Sequence, residues 1–258
     1  MRIKENAEKL YGLLPLERRI VGVQMIEKRE AYDAIKGQAV VKPMPYCVAV
    51  KSAMEGHSVK IDCIASSCPG GSRALGLTPA TSDYYNGSIG VAMGLYKNES
   101  IASNVATSVL SGKPDTYGVH IKPLELFADE PDIVLIALNA KNAMRLLQGY
   151  TYRFGVAKNI SCSGSQSVCV ECTMSPYSNG DINISMLGSS TRHHAAWKEE
   201  ELMVGINYKV FEAIVDGVEK TVNAVESDVD KARIEKSLKA TKTLEIDVEY
   251  GKTYYSAY

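Results

Sequence analysis

Six cysteines form two clusters in this chain of 258 residues, and a cysteine cluster can hold a metal cofactor, form disulfides or supply a nucleophile. The first cluster contains Cys47, Cys63 and Cys68, and the second contains Cys162, Cys169 and Cys172. No apolar signal-peptide core follows the first residues, which predicts a cytoplasmic protein, where stable disulfides are rare. The clusters therefore suggest ligands or reactive thiols, and the plain alternative is a set of small core residues.

The segment from Cys68 to Gly71, Cys-Pro-Gly-Gly, has the most specific local pattern. Proline suits the first position of a helix, and Gly70 and Gly71 let the backbone approach a bulky ligand closely. A helix dipole favours the thiolate of a cysteine just before the helix, and the thiolate is both metal ligand and nucleophile. Cys68 is thus a candidate metal ligand and a candidate catalytic residue, unless it is a buried thiol in a tight turn.

Cys169 and Cys172 form a Cys-x-x-Cys motif, which serves iron–sulfur clusters, zinc and redox dithiols. A helix is predicted from Ser163 to Ser175, and on it this spacing places both sulfurs on one face. The chain has no second Cys-x-x-Cys, so a zinc ribbon is not predicted. The motif also lies inside its helix, whereas a thioredoxin-type dithiol would begin one.

Arg192, His193 and His194 follow a predicted strand, and such a group can bind a metal, a phosphate or a carboxylate. His193 is a candidate catalytic base. Arg73 and Arg192 occupy matching places in a weak internal repeat, so both are candidate anion-binding residues.

Hydrophobic periodicity predicts the elements that position these residues. The predicted strands cover residues 20–26, 58–62, 133–138 and 181–186, and the predicted helices cover 3–14, 47–55, 100–110, 140–150 and 208–225. The continuous apolar run at 133–138 predicts a strand that is buried on both faces.

These elements predict an α/β fold, with α+β as the alternative class. Residues of about 16–115 and about 125–225 form a weak repeat, because each half has a strand, a cysteine-bearing helix, a second strand and an arginine. We expect one globular domain over 1–225, built of two similar halves around a shared cleft that the cysteines face. An appended helix and strand are predicted at 226–258.

The composition excludes several classes of protein. A net charge of −1 argues against binding nucleic acid, and no apolar run approaches the length of a membrane span. The common phosphate-loop, dinucleotide, metalloprotease and serine-hydrolase motifs are absent from the sequence. A small molecule or a redox partner protein remains as the expected partner.

A set of motifs, correct in order and spacing over residues 20 to about 220, resembles the uncharacterised prokaryotic family numbered 169 among domains of unknown function. The motifs are Pro45-x-Cys47-x-Ala-Val-x-x-Ala53-x-x-Gly56, Cys68-Pro-Gly-Gly-x-x-x-Leu-Gly76-Leu, Pro123-Leu-Glu125, Glu130-Pro-Asp132-Ile-Val, Leu146-Leu-Gln148-Gly-Tyr, Gly164-x-x-x-x-Cys169, Pro176-Tyr, Asn183-Ile-Ser185, Gly188-Ser-x-x-Arg192 and Glu200-Glu201-Leu-x-Val-Gly205-Ile.

The resemblance implies a soluble protein of anaerobic bacteria or archaea and brings no established reaction. The recurring cysteines of the family match Cys47, Cys68 and Cys169 of this chain. Many relatives carry a further cysteine near the Gly-Ser-Arg segment, where this chain has Gly188-Ser-Ser, so the resemblance weakens a symmetric four-cysteine site. The tail from about 226 lies outside the resemblance and is a candidate for oligomerisation.

The leading hypothesis is a metallocofactor-binding protein that carries a 4Fe–4S cluster and works in redox or electron-transfer chemistry. Its expected metal ligands are Cys47, Cys68, Cys169 and, as the favoured fourth, Cys172, with Cys63 as the alternative fourth. Gly70, Gly71, Arg73 and Arg192 are expected to line the cofactor, with His193 near it.

Three alternatives stay open. One is a cofactor-free thiolate enzyme with Cys68 as nucleophile and His193 or His194 as base. Another is a binding module for haem, a corrinoid or another tetrapyrrole, or for an anionic metabolite. The third is a structural homo-oligomer.

Overall fold

The computed structural model of the chain describes residues 2–36, 38–39, 42–108, 116–222, 232–236 and 239. The chain divides into two units, Met1–Lys220 and Thr221–Tyr258. The elements that position the candidate site all belong to the first unit. In the second unit residues 232–236 are helical. Most of the helix and strand predicted for 226–258 lies outside the described residues.

Within the described residues, one open sheet of seven strands forms the centre of the first unit. The strands are β1 (Val21–Ile26), β2 (Gln38–Ala39), β3 (Val59–Asp62), β4 (Gly118–Pro123), β5 (Ile133–Leu138), β6 (Ile182–Ser185) and β7 (Leu202–Asn207). Their order across the sheet is β2-β3-β4-β1-β5-β7-β6. Neighbouring strands are antiparallel except at one edge, where the two-residue β2 runs parallel to β3. The predicted mixture of helices and strands is confirmed, and its antiparallel sheet corresponds to the α+β alternative.

Helices connect and cover these strands. They are α1 (Arg2–Leu13), α2 (Arg29–Ala34), α3 (Tyr46–Met54), α4 (Pro69–Ala74), α5 (Ser82–Tyr85), α6 (Ser88–Ala92), α7 (Glu99–Ser108), α8 (Ala140–Phe154), α9 (Ser175–Asn179), α10 (Ser189–Ala195) and α11 (Tyr208–Lys220). A 3-10 turn covers Leu124–Leu126, and Val168–Met174 is π-helical; we call it the π segment. No helix in the described part of the chain is both long and apolar enough to cross a membrane.

The sheet is buried on both faces. On one face α1, α8 and α11 pack over a core that includes Val134 and Ile136 of β5. On the other face α3, the π segment and α10 pack over a core that includes Ile133 and Leu135 of the same strand. Alternate residues of β5 therefore enter different cores, which confirms the strand predicted at 133–138.

Periodicity did not predict β4 and β7. The apolar/polar alternation of β4 covers only the four residues Val119–Lys122, and Gly205 interrupts the apolar run of β7. The Cys172 carbonyl group lies where a side chain at position 205 would begin, so glycine is needed for the close approach of the π segment. The helix predicted from Ser163 begins only at Val168, and it is π-helical.

Candidate functional site

Three of the candidate cysteines stand at the starts of three helical elements on one face of the sheet. Cys47 is the second residue of α3, Cys68 is the N-cap of α4, and Cys169 is the second residue of the π segment. Prolines set the first two starts: Pro45 precedes α3 in an extended conformation, and Pro69 opens α4. Both α3 and α4 contact the π segment, and α10 contacts α3. The structure therefore brings Cys47, Cys68 and Cys169 to one junction.

The surroundings of Cys68 and Cys47 are closely connected. The backbone N–H of Gly71 donates to Cys68 Sγ at 3.4 Å. A side chain at Gly71 would lie 3.7 Å from both Cys68 Sγ and the Cβ of Tyr46, the neighbour of Cys47. At Gly70, by contrast, a Cβ would meet no atom within 4 Å. A ligand could thus approach the backbone closely at Gly70, whereas Gly71 packs against Cys68 and Tyr46.

Cys47 also belongs to a hydroxyl network that reaches the π segment. The Thr191 side chain is hydrogen-bonded to Cys47 and lowers the pKa of its thiol. The Thr191 hydroxyl in turn lies 2.5 Å from the Ser167 hydroxyl, two residues before Cys169. Thr191 was not a sequence candidate, although it lies within the Gly188–Arg192 motif.

Burial and mutual repulsion keep two of the thiols protonated. Burial, followed by the nearby Cys68 and Cys47, raises the pKa of Cys169 to about 12, against a lowering by Arg73. Burial also raises the pKa of Cys47, and Cys68 adds to that effect. Cys68 therefore lies close enough to Cys47 and Cys169 to raise the pKa of both thiols. Cys47 and Cys169 are neutral near pH 7 until a cation replaces their protons.

Arg73 brings a buried positive charge to the junction. The residue is 6% exposed, and its Nη1 has no hydrogen-bond partner of good geometry among the described residues. Its guanidinium carbon lies 3.3 Å from the centre of the Tyr84 ring, a cation–π contact. Tyr84 comes from α5, which the sequence analysis did not connect with the site. Arg73 therefore has an unused donor, and its charge is close enough to Cys169 to act on the pKa of that thiol.

Arg192, the expected counterpart of Arg73, has a different environment. Its guanidinium donates to three backbone carbonyls, those of Met186 (2.9 Å), Lys198 (2.5 Å) and Glu201 (2.7 Å). These bonds link the two ends of the connection between β6 and β7, because Met186 follows β6 and Glu201 precedes β7. Its predicted role in holding an anion stays a prediction.

His193 lies on the exposed side of α10, with its ring centre 5.4 Å from that of His194. The Nδ1 of His194 is 2.7 Å from the Ser190 carbonyl oxygen. The described contacts of both rings are thus local to α10. The role of His193 as a catalytic base also stays a prediction.

The Cys-x-x-Cys pair differs from the sequence expectation of one shared face. Cys172 is fully buried, and its thiol donates to the Met203 carbonyl of β7 at 3.3 Å. A π-helix has a wider turn than an α-helix, so residues three positions apart diverge around its axis. Cys169 reaches the junction while Cys172 packs on the sheet. Cys172 as fourth ligand stays a prediction, and Cys63 and Cys162 are exposed.

No group of three His, Cys, Asp or Glu side chains within the described ranges is arranged to hold a single metal ion. The N-cap of α10, Gly188, also has little room for a side chain. A side chain at Gly188 would lie 3.0 Å from the backbone carbonyl oxygens of Gly164 and Gln166. The junction therefore offers three thiols and one arginine.

Comparisons with known proteins agree with the resemblance seen in the sequence. The model of the family DUF169, described as Uncharacterised ArCR, matches residues 9–217. An uncharacterised protein of Methanocaldococcus jannaschii, MJ0308, is 24% identical over 220 residues, which cover 84% of this chain and 94% of that protein. No solved structure matches the chain.

Proposed function

The chain belongs to the uncharacterised family DUF169, and we propose that it is a metallocofactor-binding protein with a 4Fe–4S cluster. The proposed ligands are Cys47, Cys68 and Cys169. The observation that carries the proposal is the meeting of three thiols near the buried Arg73, whose Nη1 has no hydrogen-bond partner among the described residues. Such a cluster supplies one-electron chemistry, so redox work with a small molecule or a partner protein is the proposed role.

The donor set fits this group in charge. Burial raises the pKa of Cys47 and Cys169, so iron binding must displace their protons and leave thiolates. Three thiolates around a 4Fe–4S core leave a net negative charge. Arg73 is placed to balance that charge, since an unpaired buried cation is otherwise costly.

The donor set also fits in number. The ligands of a single ion converge on one atom, whereas each thiolate of a cubane binds a different iron and stands further from the others. A site unsuited to one ion can therefore still suit a cluster. The fourth iron needs another ligand, and Cys172 would supply it only by giving up its bond to the Met203 carbonyl.

We further propose that the two halves of the first unit are structural repeats. Their strands follow the same order from the centre outward, β1-β4-β3 in one half and β5-β7-β6 in the other. Their helices also pack in a crossed pattern, α3 on α10 and α4 on the π segment. A two-fold relation of this kind would explain why cysteines of both halves meet at one junction.

A second candidate function is favoured by Arg73 alone. Without a cluster, its free Nη1 could bind the carboxylate or phosphate of an anionic metabolite directly. Cys68 would then stand beside the bound molecule as the candidate nucleophile.

One anaerobic purification tests both candidates. We expect a brown protein with broad absorption near 400 nm and about four iron and four sulfide per chain. Cys169→Ser should lose most of the iron, and Cys63→Ser, at an exposed cysteine, should keep it. A colourless protein without iron or sulfide overturns the cluster. If phosphate or citrate then stabilises the wild type but not Arg73→Met, the second candidate holds.

A further inference from the structure

A second cleft lies beside the π segment, on the side formed by Val170 and Glu171. Its volume is about 230 Å³, and its walls come from α7, the 161–166 loop, the π segment, α9 and β6. This volume exceeds the roughly 150 Å³ of a cavity that holds benzene and is below the roughly 300–1,000 Å³ of drug-sized sites. The cleft is thus suited to a small metabolite.

The only charged group among the described residues that line this cleft is the carboxylate of Glu171. Glu171 is 4% exposed. Its Oε1 accepts the Ser163 backbone N–H at 2.8 Å and the Ser163 hydroxyl at 3.1 Å. Its Oε2 accepts the Cys162 thiol at 3.8 Å, and a thiol is a weak donor. One carboxylate oxygen therefore lacks a strong donor.

A buried carboxylate needs a cation or strong hydrogen bonds to offset its lost hydration. Within the described part of the chain no lysine, arginine or histidine forms an ion pair with Glu171. The remaining walls offer hydroxyl and amide groups, including those of Asn104, Ser108 and Gln166. Charge and wall chemistry together favour a cationic, hydrogen-bonding ligand.

We propose that this cleft binds a small polar molecule with a protonated amine, whose ammonium group donates to Glu171 Oε2. Asn183 helps to keep the site rigid, because its amide donates to the carbonyls of Ser161 and Glu171. The amine site is independent of the proposed cluster, since it uses none of Cys47, Cys68 and Cys169.

The test uses ethanolamine as the probe and the exposed Cys162 as a reporter within the cleft. The rate of Cys162 alkylation by iodoacetamide is followed at pH 7 by peptide mass spectrometry. Glycolate and ethylene glycol serve as anionic and neutral probes of similar size, and Cys63 is the internal control. If ethanolamine occludes the thiol, the rate falls about threefold at twice its Kd, by mass action.

The variants decide the outcome, each compared with and without the probe. Ethanolamine should protect Cys162 in the wild type and should not protect it in Glu171→Gln. The control variant Glu30→Gln removes an exposed carboxylate and should keep the protection. If Glu171→Gln does not fold, Val105→Phe, which fills the cleft from α7, should abolish protection instead. No protection in the wild type, equal protection by glycolate, or protection that survives both variants overturns the proposal.

Discussion

Replacing Arg73 by methionine should stabilise the cofactor-free protein. An uncompensated buried charge costs about 3–5 kcal/mol, and Arg73 is 6% exposed with an unpartnered Nη1. The substitution also removes the cation–π contact with Tyr84, which lowers the gain in stability by about 1–2 kcal/mol. Methionine has nearly the same helix propensity as arginine, so α4 itself is unaffected. The expected net gain is about 1–4 kcal/mol.

Urea unfolding of chelator-treated, reduced protein measures this gain. With a slope of about 2–3 kcal/mol per M, the midpoint should rise by roughly 0.3–2 M. The matched control is Arg192→Met, because that guanidinium donates to three backbone carbonyls. Leaving those acceptors without donors should lower stability by about 2–4 kcal/mol.

A similar loss of stability in Arg73→Met and Arg192→Met would refute this prediction. If Arg73→Met destabilises the protein as much as Arg192→Met does, Arg73 has a partner and its charge is not available to a ligand. If the reasoning holds, filling the site should reverse the sign. The variant should then be less stable than the wild type once iron and sulfide, or an anion, are bound.

Two further predictions concern packing and pH. Gly205→Ala should lower the free energy of unfolding in urea by about 1–3 kcal/mol or more, because the added methyl group would overlap the backbone of Cys172. Gly70→Ala is the control and should be tolerated. Equal stability of the two variants would contradict the close approach of the π segment to β7. Burial and neighbouring lysines lower the pKa of His120 to about 4, so the unfolded chain binds the proton first and stability should fall from about pH 6.5 to pH 4. His120→Gln should remove about 2–3 kcal/mol of that fall, and His57→Gln, at an exposed histidine, is the control substitution.

Local rules predict those elements in which periodicity and end signals agree. The strand at 133–138 is apolar throughout, and the next helix begins where the Asn139 side chain accepts the Asn142 N–H at 2.9 Å. Such rules do not predict β7, because Gly205 is required by its contact with a segment more than thirty residues away in sequence. That contact is a tertiary requirement, and no local pattern of the strand encodes it.

The site shows the same division between local and long-range information. Cys47, Cys68 and Cys169 stand out by their neighbours in sequence, and each begins a helical element. Tyr84 and Thr191 join them through packing between distant segments. Cys169 and Cys172 do not share one helix face as the spacing predicted, because the segment is π-helical and not α-helical.

The difference between the two halves says where a ligand would bind. Cys68 begins α4, whereas Gly188 precedes α10 at the corresponding place, with the carbonyls of residues 164–166 filling the space of a side chain. The Ser165 hydroxyl of that loop is bonded to the Tyr96 hydroxyl at 2.7 Å, which ties it to the 82–108 segment. Arg192 is engaged by carbonyls, whereas Arg73 is not. If the halves are repeats, the start of α10 in the second half has no space for a ligand. A ligand would therefore bind beside α4 in the first half.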